Sequence, residues 1–368
     1  MISESAPSAP ADDTPSSFLR NCWYAAAWSE EIRDRPFGRT ICGEKIVLFR
    51  KSAGDVVGLS GICPHRFASL DQGLVLEGDR LQCPYHGLEF GADGRCAANP
   101  HGAVPGAARL TVFPVVERYS LIWLWMGEDE RVDPSLIPDF SCLSDHRYRT
   151  IRGLLLTRAH YELVTDNLMD LGHVAFIHRG GLGSVSIADG KHVVQQHGTT
   201  LHSNRWCPDG APSPVWGALF GNYQDNVDHW LNMRWDAPST MFLDVGVTPA
   251  GHDRSEGISV PGTHILTPET ETSTHYFWAA SRDFALEDDE LDIQLRTSIE
   301  HAFINEDKPM LEDTQRNMKG RSFDAMRPII LSSDLGAIRA RRLLADIRSG
   351  RKKQAPSLTE ASAALVEG

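Results

Sequence analysis

A chain of 368 residues, 41% hydrophobic and 23% charged, has the make-up of an ordinary globular protein, and its length favours two cores over one. A net charge of -13 disfavours nucleic acid, whose phosphates would repel it, and no apolar run approaches the length of a membrane span. With no basic-then-apolar leader and seven cysteines at irregular spacing, a cytoplasmic chain without a disulfide framework is expected.

Residues 1–17 are Ser, Ala, Pro and Asp with almost no bulky apolar group, the composition of a flexible tail. A small β domain over 18–128 follows. Trp23 to Trp28 reads as a strand, and the runs 40–42, 45–50 and 56–59, broken by Gly and Asp, read as hairpins. Next come Cys63-Pro64-His65-Arg66 and Cys83-Pro84-Tyr85-His86-Gly87, two tight loops that offer two thiolates and two imidazoles. A [2Fe-2S] cluster with one iron on two Cys and the other on two His takes that set, and a structural zinc competes for it. Zinc fingers usually pair Cys with Cys and His with His, so one of each per loop favours the cluster. Leu121 to Gly127 reads as a buried strand whose tryptophans are core, and 129–148, with Pro134 and Pro138, as a linker.

The second domain is expected over 149–350. Helical spacing from Tyr161 to Leu171, ended at Gly172, puts Asn167-Leu168-Met169-Asp170-Leu171-Gly172-His173 and the following His178 on a helix and the loop after it. Two histidines and a carboxylate in an apolar segment are costly to bury unless something binds them, and a metal is the simplest partner. Two His and one distant carboxylate make the facial set that leaves positions for dioxygen on ferrous iron. Runs at 215–220, 230–235, 241–247, 263–266 and 274–278 suggest one antiparallel sheet, followed by a long helix from about Asp288 to Met318. On that helix Phe303, Ile304, Met310 and Leu311 lie three and four residues from Asp307, so Asp307 projects from the apolar stripe and is the expected third ligand. Glu306 is the runner-up, and Glu312 and Asp313 fall on the polar side. The basic run from Ile338 to Lys353 fits a solvated helix end, with docking of an acidic ferredoxin as the alternative, and 351–368 reads as a second flexible tail.

The two motifs in this order resemble the terminal oxygenase component of the Rieske non-haem iron oxygenases. Cys-Pro-His-Arg and Asn-Leu-Met-Asp-Leu-Gly-His most resemble the vanillate O-demethylase and dicamba monooxygenase branch, over about 18–348. The resemblance implies an α+β chain: an all-β Rieske domain, then an antiparallel sheet with helices of the helix-grip type holding mononuclear iron. It places the cluster on Cys63, His65, Cys83 and His86 and the iron on His173, His178 and Asp307. Asp170 would bridge a cluster histidine of one subunit to an iron histidine of its neighbour in a head-to-tail homotrimer, and Asn167 would stand near the open iron positions. Electrons would come from NAD(P)H through a reductase or ferredoxin. The implied reaction is monooxygenation of an alkyl group on an aromatic ether or N-alkyl arene, releasing an aldehyde. Ring or side-chain hydroxylation is the alternative within the family, and a Rieske electron carrier the alternative outside it. Polar candidates for the substrate pocket are Asp236, His264 and His275. An ionised Asp236 there would suit a neutral or cationic substrate.

Overall fold

The computed structural model describes residues 18–357, so the tail expected over 1–17 and the part of the second tail beyond 357 lie outside the described residues. The class is the expected one, an all-β N-terminal region followed by an antiparallel sheet with helices.

Three small sheets build the N-terminal region. Cys22–Trp28 pairs with Leu121–Met126, which pairs with Val115–Arg118. The first two strands are buried along their whole length, which is why they read as continuous apolar runs. Phe37–Ile41, Glu44–Arg50, Val56–Ser60 and Val112–Phe113 form the second sheet; Leu74–Leu76, Arg80–Gln82, Glu89–Phe90 and Cys96–Ala98 form the third. One Cys/His loop follows Val56–Ser60, and the other joins Arg80–Gln82 to Glu89–Phe90. The stretch 129–148 is a run of short 3-10 turns whose Ile137, Phe140 and Leu143 are buried with Trp123.

The C-terminal region is an eight-stranded antiparallel sheet in the order Arg149–Thr157, Ser273–Arg282, Gly262–Thr270, Thr240–Pro249, Val227–Asp236, Thr200–Gly210, Lys191–His197, with Ile258–Ser259 beside Thr240–Pro249. Side chains alternate across it, so its two faces have separate partners. Ile265, Phe277 and Ala279 pack on Trp23, Trp28 and Trp123 of the N-terminal region, and Trp28 meets Phe277 edge-on at 5.9 Å. His264, Tyr276 and Trp278 point the other way, toward the helices. These are α1 (Tyr161–Met169), α2 (Val174–Ile177), α3 (Pro214–Leu219), α4 (Asp289–Glu300), α5 (Lys308–Met318), α6 (Phe323–Met326) and α7 (Leu335–Arg348).

Three expectations change. The run 215–220, read as a strand from its branched and aromatic residues, is α3. Ser213 Oγ accepts from Trp216 N at 3.4 Å and Pro214 occupies the first turn, a helix start that outweighs the side-chain pattern. The second tail is held at least to 357: Ala355 N donates to Thr199 Oγ1 (3.0 Å), Gln354 Nε2 to Ala237 O (2.8 Å) and Ser357 Oγ to Asp236 Oδ2 (3.1 Å). Nor is the basic run simply solvated. Arg341 reaches from α7 to Asp166 (2.6 Å) and Glu162 (2.7 Å), clamping the helix that carries Asn167.

The helix expected over 288–318 is continuous through α4, a widened π turn over His301–Asp307, and α5. Pro309 explains the widening. Proline has no N–H to give the carbonyl four residues back, and its ring would clash there. Lys308 N instead bonds Phe303 O, five residues back.

Candidate metal centres and substrate cavity

Cys63 and Cys83 head two loops of one shape. Each cysteine N–H donates to the carbonyl five residues on (Ala68, 2.9 Å; Leu88, 2.8 Å), and each cysteine carbonyl accepts from the fourth (Phe67, 2.9 Å; Gly87, 3.1 Å). That fourth residue has positive φ in both loops, 71° at Gly87 and 60° at Phe67, a region bulky side chains avoid. Both sulfurs are buried, and burial together with the neighbouring Cys83 pushes the Cys63 thiol up to about 11. The His65 and His86 rings meet edge to face at 4.6 Å, and His86 Nδ1 is buried without a hydrogen-bond partner. Buried thiols and an orphaned imidazole nitrogen fit a bound metal group that would hold the thiolates and satisfy the ring. Among the described residues, only His173, His178 and Asp307 bring three such donor atoms within 4.8 Å of one another. Two thiolates and two imidazoles, one of each per loop, are the set a two-iron cluster takes.

The second group is built for a single ion. His173 Nε2 lies 3.5 Å from Asp307 Oδ1, and His178 Nε2 lies 3.3 Å from Asp307 Oδ2. Each ring's far nitrogen is engaged: His173 Nδ1 donates to Asp170 O and His178 Nδ1 to Glu306 Oε2, both at 2.6 Å. Those bonds fix the tautomer that leaves Nε2 as the free lone pair, the usual way a histidine ligand is oriented. Burial lowers the affinity of His178 for a proton, but Asp307 and Glu306 outweigh it and the net shift is upward. Two acids adjacent in sequence thus grip one imidazole from both ends. Glu306, the runner-up ligand, is therefore the partner of a ligand candidate.

Asn167 Nδ2 donates to Asp307 Oδ1 at 3.1 Å, which places Asn167 beside the open side of the group. Asp170 contributes its backbone carbonyl to His173, while its carboxylate caps Gly172 N at 3.0 Å and stands 4.0 Å from Arg205 Nη2. The four stripe residues around Asp307 do not share one side. Leu311 is buried and Phe303 faces the cavity, but Ile304 and Met310 are exposed, because the π turn shifts the helical phase.

His173, His178 and Asp307 line part of an apolar cavity whose empty space, open solvent included, is about 900 Å³. Its walls come from α1, α3, α4 and one sheet face: Leu231, Val245, Trp278, Trp216, Leu295 and Phe303 among others. His264 lines it, with Nδ1 2.7 Å from Tyr276 Oη and Nε2 unpaired. His229 also lines it, and sequence reading passed over it; its signal was the spacing of two from Leu231 on one strand face. Asp236 does not reach the cavity. It pairs with Arg234 at 3.0 Å and accepts from Thr200 Oγ1 at 2.7 Å, since a buried carboxylate needs a cation and donors. His275 points to the other face and bonds Thr40 O at 3.1 Å. Asp236, turned away from the cavity, therefore sets no preference for substrate charge.

A paired Cys/His double loop on an all-β domain, followed by a two-His, one-carboxylate group at an apolar cavity, defines a Rieske-type oxygenase. Comparison with known families agrees: residues 22–114 match the Rieske [2Fe-2S] domain, and residues 157–349 match the vanillate O-demethylase oxygenase C-terminal domain. The chain belongs to this family of oxygenase components. It is 44% identical to the oxygenase component of chloroacetanilide N-alkylformylase from Rhizorhabdus wittichii, over 89% of this chain and 94% of that one. It is 41% identical to the oxygenase component of dicamba O-demethylase from Stenotrophomonas maltophilia, over 89% and 96%. The crystal structure of dicamba monooxygenase bound to 3,6-dichlorosalicylic acid superposes with a TM-score of 0.86 at 40% identity, covering 91% of this chain and 98% of that one. No helix among the described residues is long and apolar enough to cross a membrane.

Proposed function

We propose that this oxygenase component removes an alkyl group from an aromatic ether or an N-alkyl arene, with His173, His178 and Asp307 holding ferrous iron. Cys63 and Cys83 would hold one iron of a [2Fe-2S] cluster, and His65 and His86 the other. The observation that carries the reading is the convergence of two Nε2 atoms and one carboxylate on the wall of an apolar cavity. Bound there, ferrous iron supplies dioxygen activation, and histidine ligation raises the cluster potential enough to accept electrons from a reductase or ferredoxin fed by NAD(P)H.

The chain's own residues have plain tasks in this scheme. Glu306 and the Asp170 carbonyl hold the two imidazoles in the metal-binding tautomer. Asn167 fixes one carboxylate oxygen of Asp307, and Leu231, Val245 and Trp278 keep water from the reacting carbon. One oxygen atom inserted beside the heteroatom gives a hemiacetal or hemiaminal, which breaks to phenol or amine plus an aldehyde; the second oxygen leaves as water with two electrons and two protons. The names of the relatives span both O- and N-dealkylation.

Electron delivery needs an assembly. Phe67 and Tyr85 are 78% and 65% exposed beside the cluster loops, and Phe176 and Val185 are 64% and 70% exposed around α2. Two such apolar patches on one chain suit a head-to-tail homotrimer in which each Asp170 carboxylate bridges to the neighbour's cluster. The test supplies reductase, ferredoxin, NADH and heavy-oxygen dioxygen to a panel of aryl ethers, N-alkyl anilides and unsubstituted arenes. Aldehyde with the matching phenol or amine is expected. Labelled arene diol or benzylic alcohol without aldehyde would replace dealkylation with hydroxylation.

A further inference from the structure

Two polar wall groups, His229 and His264, have no task in that scheme, and only His229 lacks a partner that fixes its ring. His229 lies on Val227–Asp236, 3% exposed, with Nε2 buried and unpaired and its ring edge-on to Trp216 at 5.6 Å. Burial alone holds its imidazole down to about 3, so it is neutral at working pH. A neutral imidazole carries one N–H and one lone pair, and a buried nitrogen left without a partner is destabilising. Asn167 is engaged with Asp307 and the two metal-facing histidines with their own partners, while His264, held through Nδ1 by Tyr276, also keeps a buried, unpaired Nε2. Among the described residues lining the cavity there is no lysine or arginine.

We infer that His229 is a specificity-determining residue whose ring N–H holds a carbonyl oxygen of an uncharged aryl substrate, such as the amide oxygen of a tertiary anilide. This rests on the dealkylation reading. A carbonyl oxygen is an acceptor with no net charge, so it matches a neutral donor in an apolar wall and needs no cation. Trp216 packs against the imidazole at a steep angle, their centroids 5.6 Å apart.

The test uses the holoenzyme and two probes of one shape: N-methylacetanilide, and N-ethyl-N-methylaniline, in which a methylene replaces the carbonyl. Binding is read by calorimetry without dioxygen, and aldehyde release is read separately. His229→Leu should weaken anilide binding roughly 10-fold. The same change should tighten amine binding, because an unpaired nitrogen has gone, and His229→Gln should restore the anilide preference. The visible spectrum of the cluster checks that each variant is folded. Equal losses for both probes, or no change for either, would overturn the inference and leave His229 a packing or hydrated residue. Selective binding without aldehyde would instead sink dealkylation and keep the recognition role.

Discussion

The two histidine-bearing centres sit in opposite surroundings. On the cluster loops His65 is exposed and His86 half-buried, with exposed aromatics beside them; in the second region His178 is 3% exposed and Asp307 is buried, on the wall of an apolar cavity. An electron can leave a cluster only if a partner approaches closely, so imidazoles at the tip of a loop suit that task. Dioxygen chemistry needs the reverse, a dry enclosure in which water does not compete. The same residue type therefore serves transfer where it is open and oxidation where it is closed.

Substitutions should separate the two centres. Cys83→Ala should abolish the cluster spectrum and all turnover. His178→Ala should also remove turnover but leave that spectrum intact, as absorbance between the ultraviolet and red will show. Asp170→Asn keeps both metal groups by analysis, yet should slow reoxidation of the cluster by substrate and dioxygen roughly 10- to 100-fold. Full activity in this variant would remove the bridging role. Glu306→Gln leaves the ligand set whole but weakens the hold on His178, and iron affinity measured by chelator competition should drop by roughly 10- to 100-fold.

The smallest effect concerns pH. Burial holds His229 down to about 3 and His275 down to about 4, against an ordinary value of 6.5. Between those limits the unfolded chain binds protons that the folded chain refuses. Stability is then full above about pH 6.5 and falls as pH drops toward 4. Urea midpoints across that range should show the decline, and His229→Gln should make it shallower while the His275 share remains.

Much of this was legible because ligand chemistry constrains sequence locally. The Cys/His loops and Asn167 through His178 carry their geometry in short spacings, and the loops fold as near copies of each other. The inward placement of Asp307 rests on a different cause from regular helical spacing. Regular helical spacing counts Ile304 and Met310 as inward, whereas the turn forced by Pro309 puts both outside and brings Glu306 and Asp307 together on His178. Pro309 was the available signal. The cavity wall was harder, because which face of a strand turns inward depends on the partner sheet and helices. His264 and Asp236 looked alike in sequence, yet one faces the cavity and the other a buried Arg234. His229 shows the same limit from the other side, since only the assembled wall reveals a nitrogen without a partner.

The most direct test of two separate centres is iron and acid-labile sulfide analysis of Asp307→Ala beside the wild-type protein. The variant should hold one iron atom fewer per chain, with sulfide and cluster spectrum unchanged and aldehyde release gone. Unchanged iron, or iron and sulfide falling together, would contradict the assignment of Asp307 to a mononuclear site apart from the cluster.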